Sequence, residues 1–400
     1  MARTLTALVE PEVLRWARES IGLTPLAAAR KIGLSDETLV DQWEAGAAAP
    51  SIPQLREAAR VYKRPLAVFF LSQPPDGSFD VMHDFRRLPD AEARLWSPEL
   101  HGEYRRARDQ RDVALEIADL AQEPIPQTWQ LPQPLPDDDE ELAALARRNL
   151  IEVAPVRLPA GGDEFAHLGF WIAALEEAGV LVITSAGVKV DEMRGFSLHF
   201  DVLPVIVVNG SDFARGRLFS LLHEYAHLIL HTEGLCDMAP GRPTSADLRL
   251  EVRCNAIAAA ILMPRAAVLG LTEVAIAPSR SENWSDSALE TGARTFGVSI
   301  EAFLRRLLTL ERTTEAFYQR KRQELLRTYT EALARRKEES GGGNWYRTKV
   351  RNLGKGYVRE VISAYQRSLI DTYTAASYLD AKVQQLPRLG QEATLKADVQ

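Results

Sequence analysis

Three of the chain's seven histidines lie in the stretch Leu221–His231, LLHEYAHLILH, with leucine, isoleucine, tyrosine and alanine between them. Only a helix reconciles that pattern. Residues four apart share a helix face, so His223 and His227 converge on one point with Glu224 beside it, and the remaining faces are apolar. A helix that is apolar nearly all round has to be buried by its neighbours. The fold must therefore be built around this segment, and another element must supply whatever its polar face requires.

The HExxH spacing identifies that requirement as a metal ion. Two neutral imidazoles hold Zn²⁺, a third protein ligand leaves a fourth position for water, and the ion lowers the pKa of that water to about 7. Glu224 is then the general base that takes the proton and hands it to a leaving amine. His231 continues the spacing, but eight residues of helix put it roughly 12 Å along the axis from His223, too far to share an ion. It reads as a residue of the helix C-terminus or one that orients a ligand. The third ligand is sought in EVRCNAIAAAILMPR, a second amphipathic helix that starts at Glu251 and stops at Pro264. Glu251 and Asn255 share a face there; the carboxylate would complete a His₂Glu set, and Asn255 would orient a ligand. Cys254 competes from the same turn, although a thiol among alanines and isoleucines reads better as a small buried hydrophobe.

Four hundred residues exceed one ordinary core and suggest two to four domains. With 46% hydrophobic and 26% charged residues the chain is globular, and a net charge of -7 gives no bulk attraction to nucleic acid. The first residues carry glutamates where a signal peptide would be apolar, and the longest apolar run, AIAAAILM, is far short of the ~20 residues that span a bilayer. Two cysteines cannot build a disulfide framework. A cytoplasmic protein with no membrane segment is expected.

Near the N-terminus, Thr24-Pro25 opens the helix PLAAARKI, Gly33 closes it, and Ser35 caps DETLVDQWEAG, which makes helix, tight turn, helix. LREAARVY and PLAVFFL complete a small helical bundle. The stretch from Asp84 to Ala121 is charged and helical; the Pro-rich strap from Pro124 to Pro136 and the acidic run after it cannot continue a helix. GVLVIT, GFSLHF and PVIVVN, starting at Gly179, Gly195 and Pro204, are β-branched or alternating runs bounded by turn residues, enough for a small sheet. From Glu301 onward nineteen Lys and Arg stand against twelve Asp and Glu, so a basic helical end follows an acidic body.

HEYAHLILH followed by ExxCNAIAAAILMP resembles the ImmA/IrrE metallopeptidases, and RGFSLHF, PVIVVN and FGVSIEAFLRRL fit the same pattern. The N-terminal stretch is similar to XRE (Cro/cI-like) helix-turn-helix domains. Composition and the resemblance together give a multidomain, mostly α architecture with four parts. An all-α helix-turn-helix bundle occupies 1–75, and a helical connector with a Pro-rich acidic linker occupies 76–141. A central α+β gluzincin-like metallopeptidase domain with a small sheet occupies 142–310, and a basic helical extension occupies 311–400. The resemblance further implies His223, His227 and Glu251 on zinc, Glu224 as base, and cleavage of a repressor or related regulator that controls stress, mobile-element or toxin-antitoxin genes. An edge strand beside the metal would pair with an extended substrate, with Arg194 and Asn209 as contacts.

The helix-turn-helix departs from a DNA reader in charge. DETLVDQWE carries Asp36, Glu37, Asp41 and Glu44 and no Lys or Arg, and residues 1–75 hold nine basic against eight acidic side chains. Phosphate contact dominates DNA affinity, so this helix would repel it, leaving Thr38 and Gln42 as base contacts. Homodimerisation or a protein partner is the other use for such a domain. A different reading of the whole chain is an antitoxin or transcriptional regulator that binds a PIN-like toxin or an operator, with a structural zinc site.

Overall fold

The computed structural model describes residues 6–75, 96–231, 245–338 and 344–394. They form two compact units that divide at Arg106, inside the helix Pro98–Ala121.

The first unit holds the helices Pro11–Glu19, Pro25–Ile32, Leu39–Glu44 and Ile52–Val61 and a 3₁₀ turn at Leu66–Phe70. The Thr24 hydroxyl accepts from the Ala27 amide, and Gly33 ends that helix in the left-handed region at φ 82°. The next helix begins at Leu39, later than a Ser35 cap would put it. The reason is local: the Asp36 carboxylate accepts from both the amide and the hydroxyl of Thr38, a turn that holds the chain out of helix for one more step. Val13, Ala28, Val40, Leu55 and Phe69 meet in the core. Beside them Arg18 and Glu44 form a buried bidentate pair, with both N–H···O distances 2.7 Å. Glu44 is thus spent inside the domain and is no part of its acidic surface.

The second unit is built around a three-stranded sheet of β1 (Leu181–Ser185), β2 (Gly195–Leu198) and β3 (Val205–Asn209) in the order β1-β3-β2. β3 is central, parallel to β1 and antiparallel to β2, with Gly195 opposite Val208 and Leu198 opposite Val205. The helix Ala214–Ile229, which carries HExxH, packs on β2 and β3, and its other faces meet the helices Glu164–Glu177 and Ser245–Leu262. Leu218, Leu221, Leu222, Tyr225, Ala226 and Leu228 are all fully buried there, at about 1.5–3 kcal/mol for each large apolar side chain.

The Pro-rich strap is a packed part of this unit. Trp129 is fully buried, its amide donates to the Ala178 carbonyl at 3.0 Å, and its own carbonyl accepts from the Tyr225 hydroxyl at 3.0 Å. The basic end packs here as well. From the helix Glu315–Glu338, Tyr329 donates to the fully buried Asp212 at 2.9 Å. The helix Lys355–Gln366 brings the Gly356 amide 3.0 Å and the Arg359 guanidinium 3.3 Å from the Glu176 carboxylate. Among the described residues no helix is long and apolar enough to cross a membrane.

The Arg18–Glu44 pair yields a stability prediction for the first unit. Removing one partner leaves a buried charge uncompensated, so Glu44→Ala should destabilise this unit by about 3–5 kcal/mol, measured by denaturant unfolding followed at Trp16 and Trp43. A cost below about 1 kcal/mol would mean that the pair behaves as a solvated one.

Candidate metal centre

The helix Ala214–Ile229 puts His223 and His227 one turn apart, and the helix Ser245–Leu262 carries Glu251 across to them. His223 Nε2 and His227 Nε2 are 3.2 Å apart, and the Glu251 carboxylate oxygens lie 3.3 Å and 3.4 Å from those nitrogens. Three donors bonded to one tetrahedral zinc at about 2.0–2.1 Å would stand roughly 3.3 Å from one another. The donor set therefore fits the ion in both chemistry and spacing. The two histidines are buried, whereas 35% of the Glu251 side chain is exposed, so the cluster opens to solvent on the glutamate side. Burial pushes the Glu251 carboxyl up, but hydrogen bonds and charge from His223 and His227 more than offset it and hold it down at about 2. The carboxylate is ionised in the form a metal ligand needs.

Glu224 is fully buried on the same helix and abuts the edge strand. A Cβ added at Gly195 would stand 3.2 Å from the Glu224 Oε1 and 3.1 Å from the Val207 carbonyl oxygen, so a larger residue would need its neighbours to give by a few tenths of an ångström. Among the described residues no strand pairs with the outer edge of β2. The structure thus brings together a carboxylate, a cluster that could hold a metal and a strand edge that is unpaired among the described residues.

The other residues named from sequence are distributed differently. Cys254 is fully buried, its thiol pushed up by burial and by the nearby Glu251 and Glu224 charges, and it is no member of the three-residue cluster. Asn255 is half-buried, one turn beyond Glu251. His231 lies past the helix end with φ 53°, outside the cluster, and pairs with His199. Arg194 is partly exposed and bonds Asp212 at 3.1 Å. Asn209 is turned inward and fully buried, its amide donating to the carbonyls of Val188 and Met193, which removes it from the surface a substrate would touch. In the first unit Thr38 is exposed and its hydroxyl accepts from the Gln42 amide at 2.9 Å, with Asp36, Glu37 and Asp41 exposed around them.

Sequence reasoning missed two supports. Arg253 donates to Asp139 at 2.8 Å and so ties the Glu251 turn to the start of the helix Asp139–Val153. Gly195 was the other, and a glycine inside a strand pattern is itself a signal of close approach.

Residues 175–308 match the peptidase M78 family model, described as the IrrE N-terminal-like domain. Residues 14–69 match a helix-turn-helix model. The chain joins a helix-turn-helix domain to an IrrE-like domain of the M78 peptidase family. The IrrE-like match contains β1 to β3, His223, Glu224, His227 and Glu251, so the cluster and the edge strand β2 both lie inside it. No curated relative matches the chain.

The cluster makes a direct prediction about metal content. After dialysis against a weak chelator, Glu251→Ala and His227→Ala should lose their zinc, weakened beyond the roughly 10–100-fold that follows loss of a group one layer further out, while Cys254→Ala keeps it. Elemental analysis of the three proteins measures this, and zinc retained by Glu251→Ala would contradict the ligand set.

Proposed function

We propose that the chain is a zinc-dependent endopeptidase that cleaves a repressor-like regulatory protein. The observation that carries the reading is the place of Glu224, beside His223 on the helix and against Gly195 of β2, whose outer edge pairs with no strand among the described residues. His223, His227 and Glu251 hold the zinc, which when bound polarises the scissile carbonyl and acidifies water. An extended stretch of substrate adds to β2 as a further strand, its backbone amides and carbonyls meeting those of Gly195–Leu198. Glu224, held dry against Gly195, takes a proton from the attacking water and delivers it to the departing amine. Tyr225 on the same helix donates to the Trp129 carbonyl and so ties that face of the helix to the strap.

A regulatory protein as substrate is supported by the family resemblance and by the helix-turn-helix domain on the same chain. That domain would bring the peptidase to its target, through a protein surface or through DNA with Thr38 and Gln42 at base edges. Its exposed Asp36, Glu37 and Asp41 favour a protein surface, since each would stand against a phosphate.

The test is cleavage of the protein encoded by the gene next to the chain's own, taken as candidate substrate, compared for wild type and Glu224→Gln. Glutamine is isosteric and cannot accept the proton, so cleavage should drop by about 10²–10⁴-fold with zinc content unchanged. Equal cleavage by both proteins would remove Glu224 from the chemistry. Binding of the partner without cleavage by either, zinc being present, would favour sequestration in the manner of an antitoxin.

A further inference from the structure

A second pair of imidazoles stands apart from the cluster. His199 Nε2 lies 3.1 Å from His231 Nδ1, with the ring centroids 5.2 Å apart and the planes at 67°. His199 directly follows β2, and His231 follows the HExxH helix by two residues, so the pair joins the end of the edge strand to the end of that helix. The His199 ring is held from behind. Trp129, itself fully buried, meets His199 edge-on at 5.9 Å, and His231 adopts the left-handed backbone at φ 53°. That conformation ends the helix, the His231 amide donating to the Leu228 carbonyl at 3.0 Å, and histidine is among the residues that adopt it most readily.

A hydrogen bond between two imidazoles that water also reaches returns little over their bonds to water, so it gives little reason for the 3.1 Å approach. A metal ion accounts for it better. Two nitrogens bound at about 2.0–2.1 Å stand roughly 3.3 Å apart in tetrahedral geometry and roughly 2.9 Å apart when the bonds are at right angles, and the observed 3.1 Å lies between them. Imidazole selects borderline ions such as zinc, nickel and copper(II) over magnesium and calcium, which take oxygen ligands.

We propose that His199 and His231 form a second metal site for a borderline divalent transition ion, completed by water and separate from the His223–His227–Glu251 cluster. With two protein ligands instead of three, the site is the weaker of the two and fills only as free metal rises. Its position gives occupancy a consequence: the ion clasps the end of β2 to the end of the HExxH helix, and so stiffens the strand on which a peptide would pair.

The experiment is equilibrium dialysis of the full chain against rising free zinc, with bound metal measured per chain for wild type, His199→Gln and His231→Asn. Asparagine tolerates the left-handed backbone, so the second variant keeps the chain path. Wild type should reach two equivalents in separate steps, and each variant should lose the second step while the first stays where it was. Copper(II) added to the zinc-loaded wild type should give an electron paramagnetic resonance signal with nitrogen coupling that is absent from His199→Gln. Saturation of wild type at one equivalent, or an undiminished second step in both variants, would overturn the proposal.

Discussion

Burying a helix that carries two histidines and a glutamate on one side is the constraint on which the second unit depends. Taking ionisable groups out of water is costly unless they are paired or bind a metal. His223 and His227 meet the Glu251 carboxylate at 3.3–3.4 Å, and the remaining faces of the helix are closed by leucines, Tyr225 and Ala226. The sheet, the strap, the helix Glu164–Glu177 and the Glu251 helix are each present where that helix needs a neighbour.

The sheet is correspondingly unequal at its two sides. β1 carries the helix Trp345–Leu353 from the basic end, and the chain passes so near the Val182 carbonyl at Gly354 that a side chain there would collide with it. β2 has no strand on its outer side among the described residues, and there Gly195 meets Glu224. The basic end therefore works as scaffold for the unit that holds the cluster, through Glu176 on one helix and Asp212 just before the HExxH helix.

What could be read from the sequence was what a single element encodes. The four-residue spacing of His223 and His227, the turn containing Glu251 and Cys254, the three short β-branched runs and the caps at Thr24 and Gly33 are all local, and helix or strand geometry translates them directly. Contacts that join distant segments left no periodic trace. Trp129 buried under Ala178 and Tyr225, Tyr329 on Asp212, Arg253 on Asp139, and His199 beside His231 each unite residues whose separation carries no pattern. Asn209 illustrates the same limit, since a polar residue at a strand end reads as a surface contact until the carbonyls of Val188 and Met193 are found around its amide. The late start of the helix at Leu39 has a different origin, because the Asp36 side chain competes with the Ser35 cap for the turn.

The central claim is that two imidazoles and one carboxylate, with no thiolate, make the metal centre. X-ray absorption at the zinc edge of protein loaded with a single equivalent tests it most directly. Nitrogen and oxygen neighbours alone at about 2.0–2.1 Å, with the histidine pattern of two imidazoles, is the predicted result. A sulfur neighbour at about 2.3 Å would contradict it and would put a cysteine in the place assigned to Glu251.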